Sequence, residues 1–239
     1  MSSLQETAQA NLRAVNERIT QAARAAGRAP QDIALVAVSK TFPAEAVIAV
    51  AGAGQADFGE NYVQEATAKI ARVRELSPQL ALWWHYIGPI QSNKTRDIAE
   101  QFDWVQSVDR LKVAQRLSQQ RPASKGPLNV LLQVNISGEA TKSGVPGVDV
   151  ATLAAQVAGL PNLTLRGLMA IPEPDTDPSR QAQALQAMKG LFDALRRTHP
   201  RCDTLSMGMS ADLEAAVVAG STMLRIGTAI FGERERKAA

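Results

Sequence analysis

Two stretches carry residues able to do chemistry. The first is VSK, Val38 to Lys40, where the apolar run Ile33 to Val38 ends. A lysine at such a strand end is partly desolvated. Desolvation disfavours the ammonium form, lowers the pKa from about 10.4 and makes free amine available. That prepares a lysine to attack a carbonyl carbon and form a Schiff base. The competing reading is a lysine whose stem lies along apolar surface while its head reaches water. The second stretch is near the C-terminus: GMSADLEAA, from Gly208, and RIGT, Arg225 to Thr228. Ser210 is expected where a helix begins, offering a hydroxyl and the first free amides to an anion. Arg225 supplies a fixed cation, Gly227 lets backbone approach a ligand closely, and Thr228 offers a second hydroxyl. Taken singly, GMS is an ordinary cap and RIGT an ordinary strand.

What positions these residues is an alternation of apolar runs with helical patterns. The N-terminal segment is an amphipathic helix. Strands follow at IALVAVS, ADFGEN, LWWHYIG, WVQSVD, LNVLLQVNI, LTLRGLMAI, TLSMGM and TMLRIGTAIFG, with a helical pattern between each consecutive pair. In YVQEATAKIARVREL, residues Val63, Ala66, Ile70, Val73 and Leu76 fall near one face. SNKTRDIAEQF is expected to open on Ser92 or Asn93 as N-cap. Strict alternation implies parallel pairing with helices over the sheet. Eight such units in 239 residues match a closed (β/α)8 barrel of the TIM type, for which about 250 residues is typical. An open doubly wound sheet is the alternative, but its first turn would be glycine-rich, and here it reads SKTFP. The expectation is one α/β domain over 1–239: an extra N-terminal helix at 1–28 and the barrel at 32–232.

A barrel of this kind works at the C-terminal ends of its strands and holds phosphate after strands seven and eight. Closure sets strand eight beside strand one, so Lys40 would face the phosphate cup across the barrel mouth. An aldehyde-bearing phosphate ester such as pyridoxal 5′-phosphate (PLP) would engage both. Another phosphate ester, with Lys40 merely polar, is the weaker alternative.

LVAVSKTFP, FGENYVQEA, WHYIGPIQSNK, RGLMAIP and LSMGMSADLEAAVVAGSTMLRIGTAIFG together resemble the pyridoxal phosphate homeostasis protein family, single-domain relatives of the alanine racemase barrel. The resemblance covers nearly the whole chain. It implies that Lys40 holds PLP as a Schiff base and that Asn61 lies near the cofactor. It further implies that Ser210, Gly227 and Thr228 bind the phosphate and that Arg225 faces the pyridine nitrogen. A guanidinium cannot accept the pyridinium proton, so the ring would be a poor electron sink and carbanion chemistry would be disfavoured. The implied function is a cofactor carrier in vitamin B6 homeostasis. It would hand PLP to apo-enzymes as transient recipients, with no catalytic residues and no significant turnover. The alternative is a PLP-dependent amino-acid racemase. That reaction needs a second acid–base group, which in the racemases comes from an additional C-terminal domain. The chain ends seven residues after Gly232, so none is expected. His85 is either a base or a histidine satisfied by its neighbours. Lys142 is a second lysine to consider.

Composition narrows the rest. The net charge is +3 with charges of both signs interspersed, and aromatics are 4%. Nucleic-acid binding would call for a basic stripe with aromatics within it. Two histidines and one cysteine, Cys202, leave no metal-ligand spacing and no disulfide within the chain. No apolar run reaches the ~20 residues that span a bilayer. The expectation is therefore a cytoplasmic monomer with no membrane, metal or nucleic-acid partner. The sequons at Asn93, Asn135 and Asn162 read as chance matches.

Overall fold

The computed structural model describes residues 3–137, 143–172 and 177–233. Eight parallel strands among them close into a barrel: β1 Ala34–Val38, β2 Asp57–Glu60, β3 Trp83–Tyr86, β4 Trp104–Val108, β5 Leu128–Asn135, β6 Leu163–Met169, β7 Thr204–Ser206 and β8 Met223–Ile226. Neighbours follow chain order, and the wall closes through β1 against β8, with Val36 opposite Arg225. The expected barrel and its extra N-terminal helix are both present.

The strands are near-continuous apolar runs because most of their residues are buried, on both faces of the wall. In β1, Val36, Ala37 and Val38 are all buried. Val36 points inward, packing with Trp104, Leu131, Met169 and Met223, while Leu35 and Ala37 join the larger core under the helices. That outer ring comprises α2 Ala44–Gly52, α3 Val63–Leu76, α4 Thr95–Gln101, α5 Leu111–Gln120, α6 Val150–Ala158, α7 Pro178–Thr198 and α8 Leu213–Val218. In α7, Asp177 accepts from Ser179 N at 2.9 Å and Pro178 opens the first turn, as N-terminal helix chemistry requires. No helix among the described residues is long and apolar enough to cross a membrane.

Helix α1, Ser3–Ala25, lies outside the seam where the barrel closes, against α2, α8 and the short helix α9, Thr228–Phe231. Asn11 Nδ2 donates to Ile230 O, and Arg18 Nη2 donates to Ser210 O. The extra helix thus braces the loops after β7 and β8.

Three local readings change. TAIF continues β8 as a helical turn rather than as strand, because Gly227 leaves the extended region at φ −111°, ψ −76°. The α8 helix starts at Leu213, with Asp212 accepting from Met209 N, so Ser210 sits in the turn before it. The chain enters α4 through a single 3-10 turn, Ser92–Lys94, with no side-chain cap. A two-residue strand, Val145–Pro146, also pairs with β5. Lys142 lies outside the described residues. Cys202 is buried and its thiol is pushed up to about 11 by burial.

The register between β5 and β6 shifts where Leu165 gives way to Gly167. Gly167 has φ +148°, and a Cβ there would stand 1.9 Å from Thr204 O. Both the backbone conformation and the β7 backbone exclude a side chain. Gly167→Ala is therefore expected to cost about 3 kcal/mol or more, read as a lowered urea midpoint.

Candidate active site at the barrel mouth

A cavity of about 320 Å3 opens at the C-terminal end of the strands, within the 300–1,000 Å3 typical of ligand pockets. Its lining includes Lys40, Asn61, Ser210, Arg225, Gly227 and Thr228, along with Phe42, Ile87 and Ile171. All six residues singled out in the sequence meet there, drawn from the ends of β1, β2, β7 and β8.

Lys40 follows β1, and its flanks are held by a buried acid–base cluster. Glu60, at the end of β2, is fully buried; its Oε1 accepts from Ser39 Oγ and from Lys69 Nζ, both at 2.6 Å. Lys69 Nζ also donates to Ser39 O at 2.7 Å and to Glu65 Oε1 at 3.0 Å. Glu65 Oε1 in turn accepts from Thr41 N at 2.6 Å. Thr41 has φ +72°, a left-handed conformation that a β-branched residue adopts only under constraint. The residues on both sides of Lys40 are thus pinned. Glu60 Oε2 is buried without a hydrogen-bond partner, and burial, outweighing Lys69, raises the Glu60 pKa.

Arg225 is almost wholly buried and still lines the cavity. Its Nη1 donates to Ser206 Oγ at 2.7 Å and its Nη2 to Ala170 O at 2.8 Å. Burial lowers its pKa to about 10, partly offset by the Asp212 carboxylate, so it stays cationic at neutral pH. Gly227 is small for a reason other than ligand approach alone: a Cβ there would lie 3.3 Å from Val38 O of β1. Thr228 begins α9, and Phe42 stacks on Phe231 at 5.0 Å, tying the Lys40 loop to that helix. Asn61 Oδ1 is buried with no hydrogen-bond partner, an acceptor on the cavity wall waiting for a donor. Two basic side chains, two hydroxyls and an unused amide oxygen suit a small anionic molecule with hydrogen-bonding groups.

His85 does not reach this cavity. It is fully buried in the barrel interior and stacks on Trp104 at 5.3 Å. Gln106 and Asp57 occupy its two ring nitrogens, so it is a satisfied histidine and not a base at the mouth. Tyr86 donates to Pro89 O, and burial pushes its pKa to about 12. Among the described residues no group of three metal-ligating side chains occurs. Sequence reasoning missed Lys69 as the partner of Glu60. The signal was there: Lys69 falls on the apolar face of α3 with Ala66 and Val73, where a lysine has to be paired.

A parallel barrel with a lysine after its first strand, and a buried arginine and two hydroxyls at the ends of its last two, defines a class. Residues 10–235 match the family model of the alanine racemase N-terminal domain. Within that class, the chain is 54% identical over 227 residues to the pyridoxal phosphate homeostasis protein of Vibrio cholerae, spanning 95% of this chain and 96% of that one. It is 57% identical over 225 residues to the protein of the same name from Pseudomonas aeruginosa, at 94% and 95%. The structure of PipY from Synechococcus elongatus with PLP bound is 35% identical, with a TM-score of 0.77, over 90% of this chain and 100% of that one. The chain belongs to the pyridoxal phosphate homeostasis protein family.

The buried pair gives a test of the Lys40 mounting. Lys69→Met would leave Glu60 buried without its counter-charge, at a cost of about 3–5 kcal/mol near neutral pH. The loss of the partner raises the Glu60 pKa in the folded state further. The deficit is therefore complete only above that raised value and shrinks as pH falls toward the ~4.3 of an unfolded glutamate. Urea unfolding of both proteins at pH 8 and pH 4 measures it.

Proposed function

We propose that this chain binds PLP at the barrel mouth, covalently through Lys40, and holds it for release to other PLP-dependent proteins without turnover of its own. The observation that carries the reading is the convergence of Lys40, Asn61, Ser210, Arg225, Gly227 and Thr228 on one cavity. The names of the relatives and the bound PLP in the PipY structure support it.

The residues fit the group. When bound, PLP supplies an aldehyde that an amine can bond and an aromatic ring that can withdraw electrons from that bond. Lys40 provides the amine. Ser210 and Thr228 offer hydroxyl donors to the phosphate, beside the Gly227 backbone. Arg225 is anchored to face the ring nitrogen and, carrying only donors, does not take up a proton from it. That keeps the ring's electron demand low and favours storage over carbanion chemistry. Asn61 Oδ1 accepts from a ring substituent or an ordered water. The phenol of Tyr86, turned to Pro89 O and pushed to about 12, is not set up as an opposing acid–base group. We place the protein in the cytoplasm, as a monomer that meets apo-enzymes transiently. The free, buried Cys202 is compatible with a reducing compartment.

Charge-assisted hydrogen bonds are worth about 1.5–3 kcal/mol. Ser210→Ala and Thr228→Ala are each expected to weaken PLP binding by roughly ten- to a hundred-fold in an absorbance titration. Pyridoxal without its phosphate should bind poorly to the unaltered protein. Equal affinity for pyridoxal and PLP would remove the phosphate cup from the account.

The carrier reading has its own test. The loaded protein is expected to pass PLP to an apo-enzyme and to show no Lys40-dependent exchange of amino-acid α-hydrogens into heavy water. Exchange on the order of 1 s⁻¹ or faster, in the range of ordinary enzymes and lost in Lys40→Ala, would establish a racemase-type enzyme instead.

A further inference from the structure

The inside of the barrel is not uniformly apolar. A polar thread passes through the layer formed by Val36, Trp104, Leu131, Met169 and Met223. Arg225 Nη1 contacts Ser206 Oγ at 2.7 Å. Ser206 Oγ contacts Gln106 Oε1 at 2.7 Å. Gln106 Nε2 contacts His85 Nδ1 at 3.0 Å. His85 Nε2 contacts Asp57 Oδ1 at 2.9 Å. Ser206, Gln106 and His85 are buried at 0%, and Arg225 at 3% exposure. Asp57 is the first residue of β2. The thread therefore starts at the end of the barrel opposite the cavity and finishes in the cavity wall.

The two ends and the Gln106 amide between them set its direction. A guanidinium only donates and a carboxylate only accepts. Arg225 therefore donates to Ser206, Ser206 to Gln106, Gln106 to His85 Nδ1, and His85 Nε2–H to Asp57. With the Gln106 amide presenting Oε1 to Ser206 and Nε2 to His85, His85 Nδ1 is an acceptor and the ring proton sits on Nε2. Every link is satisfied in that sense, and aligned hydrogen bonds polarise one another. For stability alone, well-packed apolar residues would serve at least as well in this position. What the thread adds is geometry. Ser206 Oγ and Ala170 O hold two nitrogens of one guanidinium, and two such anchors fix its plane. Ser206 can hold its lone pair toward Arg225 only while its proton is committed to Gln106. Gln106 can accept that proton only while His85 takes its N–H.

We propose that Asp57, His85, Gln106 and Ser206 are positioning residues for Arg225, a one-way hydrogen-bonded relay across the barrel that sets how the guanidinium meets the ligand in the cavity. The proposal rests on the PLP reading for the identity of that ligand. None of the four touches the ligand; they act through Arg225.

The test is a double-mutant cycle on the full chain, read by absorbance titration with PLP. Asp57→Asn is nearly isosteric at a half-exposed strand end, and its loss of charge removes the thread's acceptor-only terminus. It should weaken PLP binding about three- to ten-fold and shift the pH profile of the bound cofactor's absorption band. Competition by inorganic phosphate should be unchanged, since the Ser210 and Thr228 cup is untouched. In an Arg225→Lys background, Asp57→Asn should have no further effect. Distant residues that share no network act additively. Full additivity, or an Asp57→Asn protein with wild-type affinity and band profile, would overturn the relay. Should the variants fold poorly, nitrogen NMR of His85 in the unaltered protein decides: a proton on Nε2 alone supports the relay, and a proton on Nδ1, with or without one on Nε2, overturns it. Failure of the PLP reading looks different, because the unaltered protein would then give no saturable PLP band at all.

Discussion

The hydrogen bonds between Ala34–Val38 and Met223–Ile226 turn a twisted parallel sheet into a closed wall, and the site exists only because that seam closes. The register sets Val36 opposite Arg225, so the strand that ends in Lys40 lies beside the strand that ends in Gly227 and Thr228. An open sheet of the same strands would leave these at opposite edges. The seam is also where α1 lies. Its Arg18 and Asn11 reach the backbone at Ser210 and Ile230, on the two segments that follow β7 and β8. The bidentate ion pair between Arg18 and Glu214 is largely exposed, and exposed pairs add little stability. Its value is geometric: it holds the guanidinium that in turn holds the Ser210 carbonyl.

Among the described residues, two groups of buried charge each serve one wall of the cavity. Under β1 and β2, Glu60 and Lys69 fix the backbone on both sides of Lys40. Inside the barrel, the chain from Asp57 to Ser206 fixes Arg225. Buried ions cost stability unless paired or hydrogen-bonded: Glu60 is paired with Lys69 through Oε1, and Arg225 is held by Ser206 Oγ and Ala170 O. The result is a stiff frame holding a lysine on one side and a donor-only cation on the other.

Much of this was legible in the sequence because parallel barrels have a strong pattern. Apolar runs alternating with helical periods gave the eight strands, and strand ends gave the site residues. Lys40 stood out as a charge at the end of an apolar strand, and Arg225 as a charge within one. The misreadings lie where local pattern is silent. TAIF is as apolar as a strand, and only the backbone turn at Gly227 makes it helical. Ser210 looked like a cap because serine caps helices, but the Asp212 carboxylate, two residues on, takes the Met209 amide. The register shift at Gly167 follows from β7 backbone passing within reach of its Cα, a contact between distant segments. The partners of His85 are equally non-local, since Asp57 and Gln106 reach it only once β2, β3 and β4 are aligned.

The central claim is that Lys40 is where the cofactor is held. The most direct measurement is borohydride reduction of the PLP-loaded protein, followed by peptide mapping. The account predicts one dominant phosphopyridoxyl adduct on Lys40, absent from Lys40→Ala. The same adduct yield in Lys40→Ala, or a principal adduct mapping to another lysine such as Lys142, would contradict it.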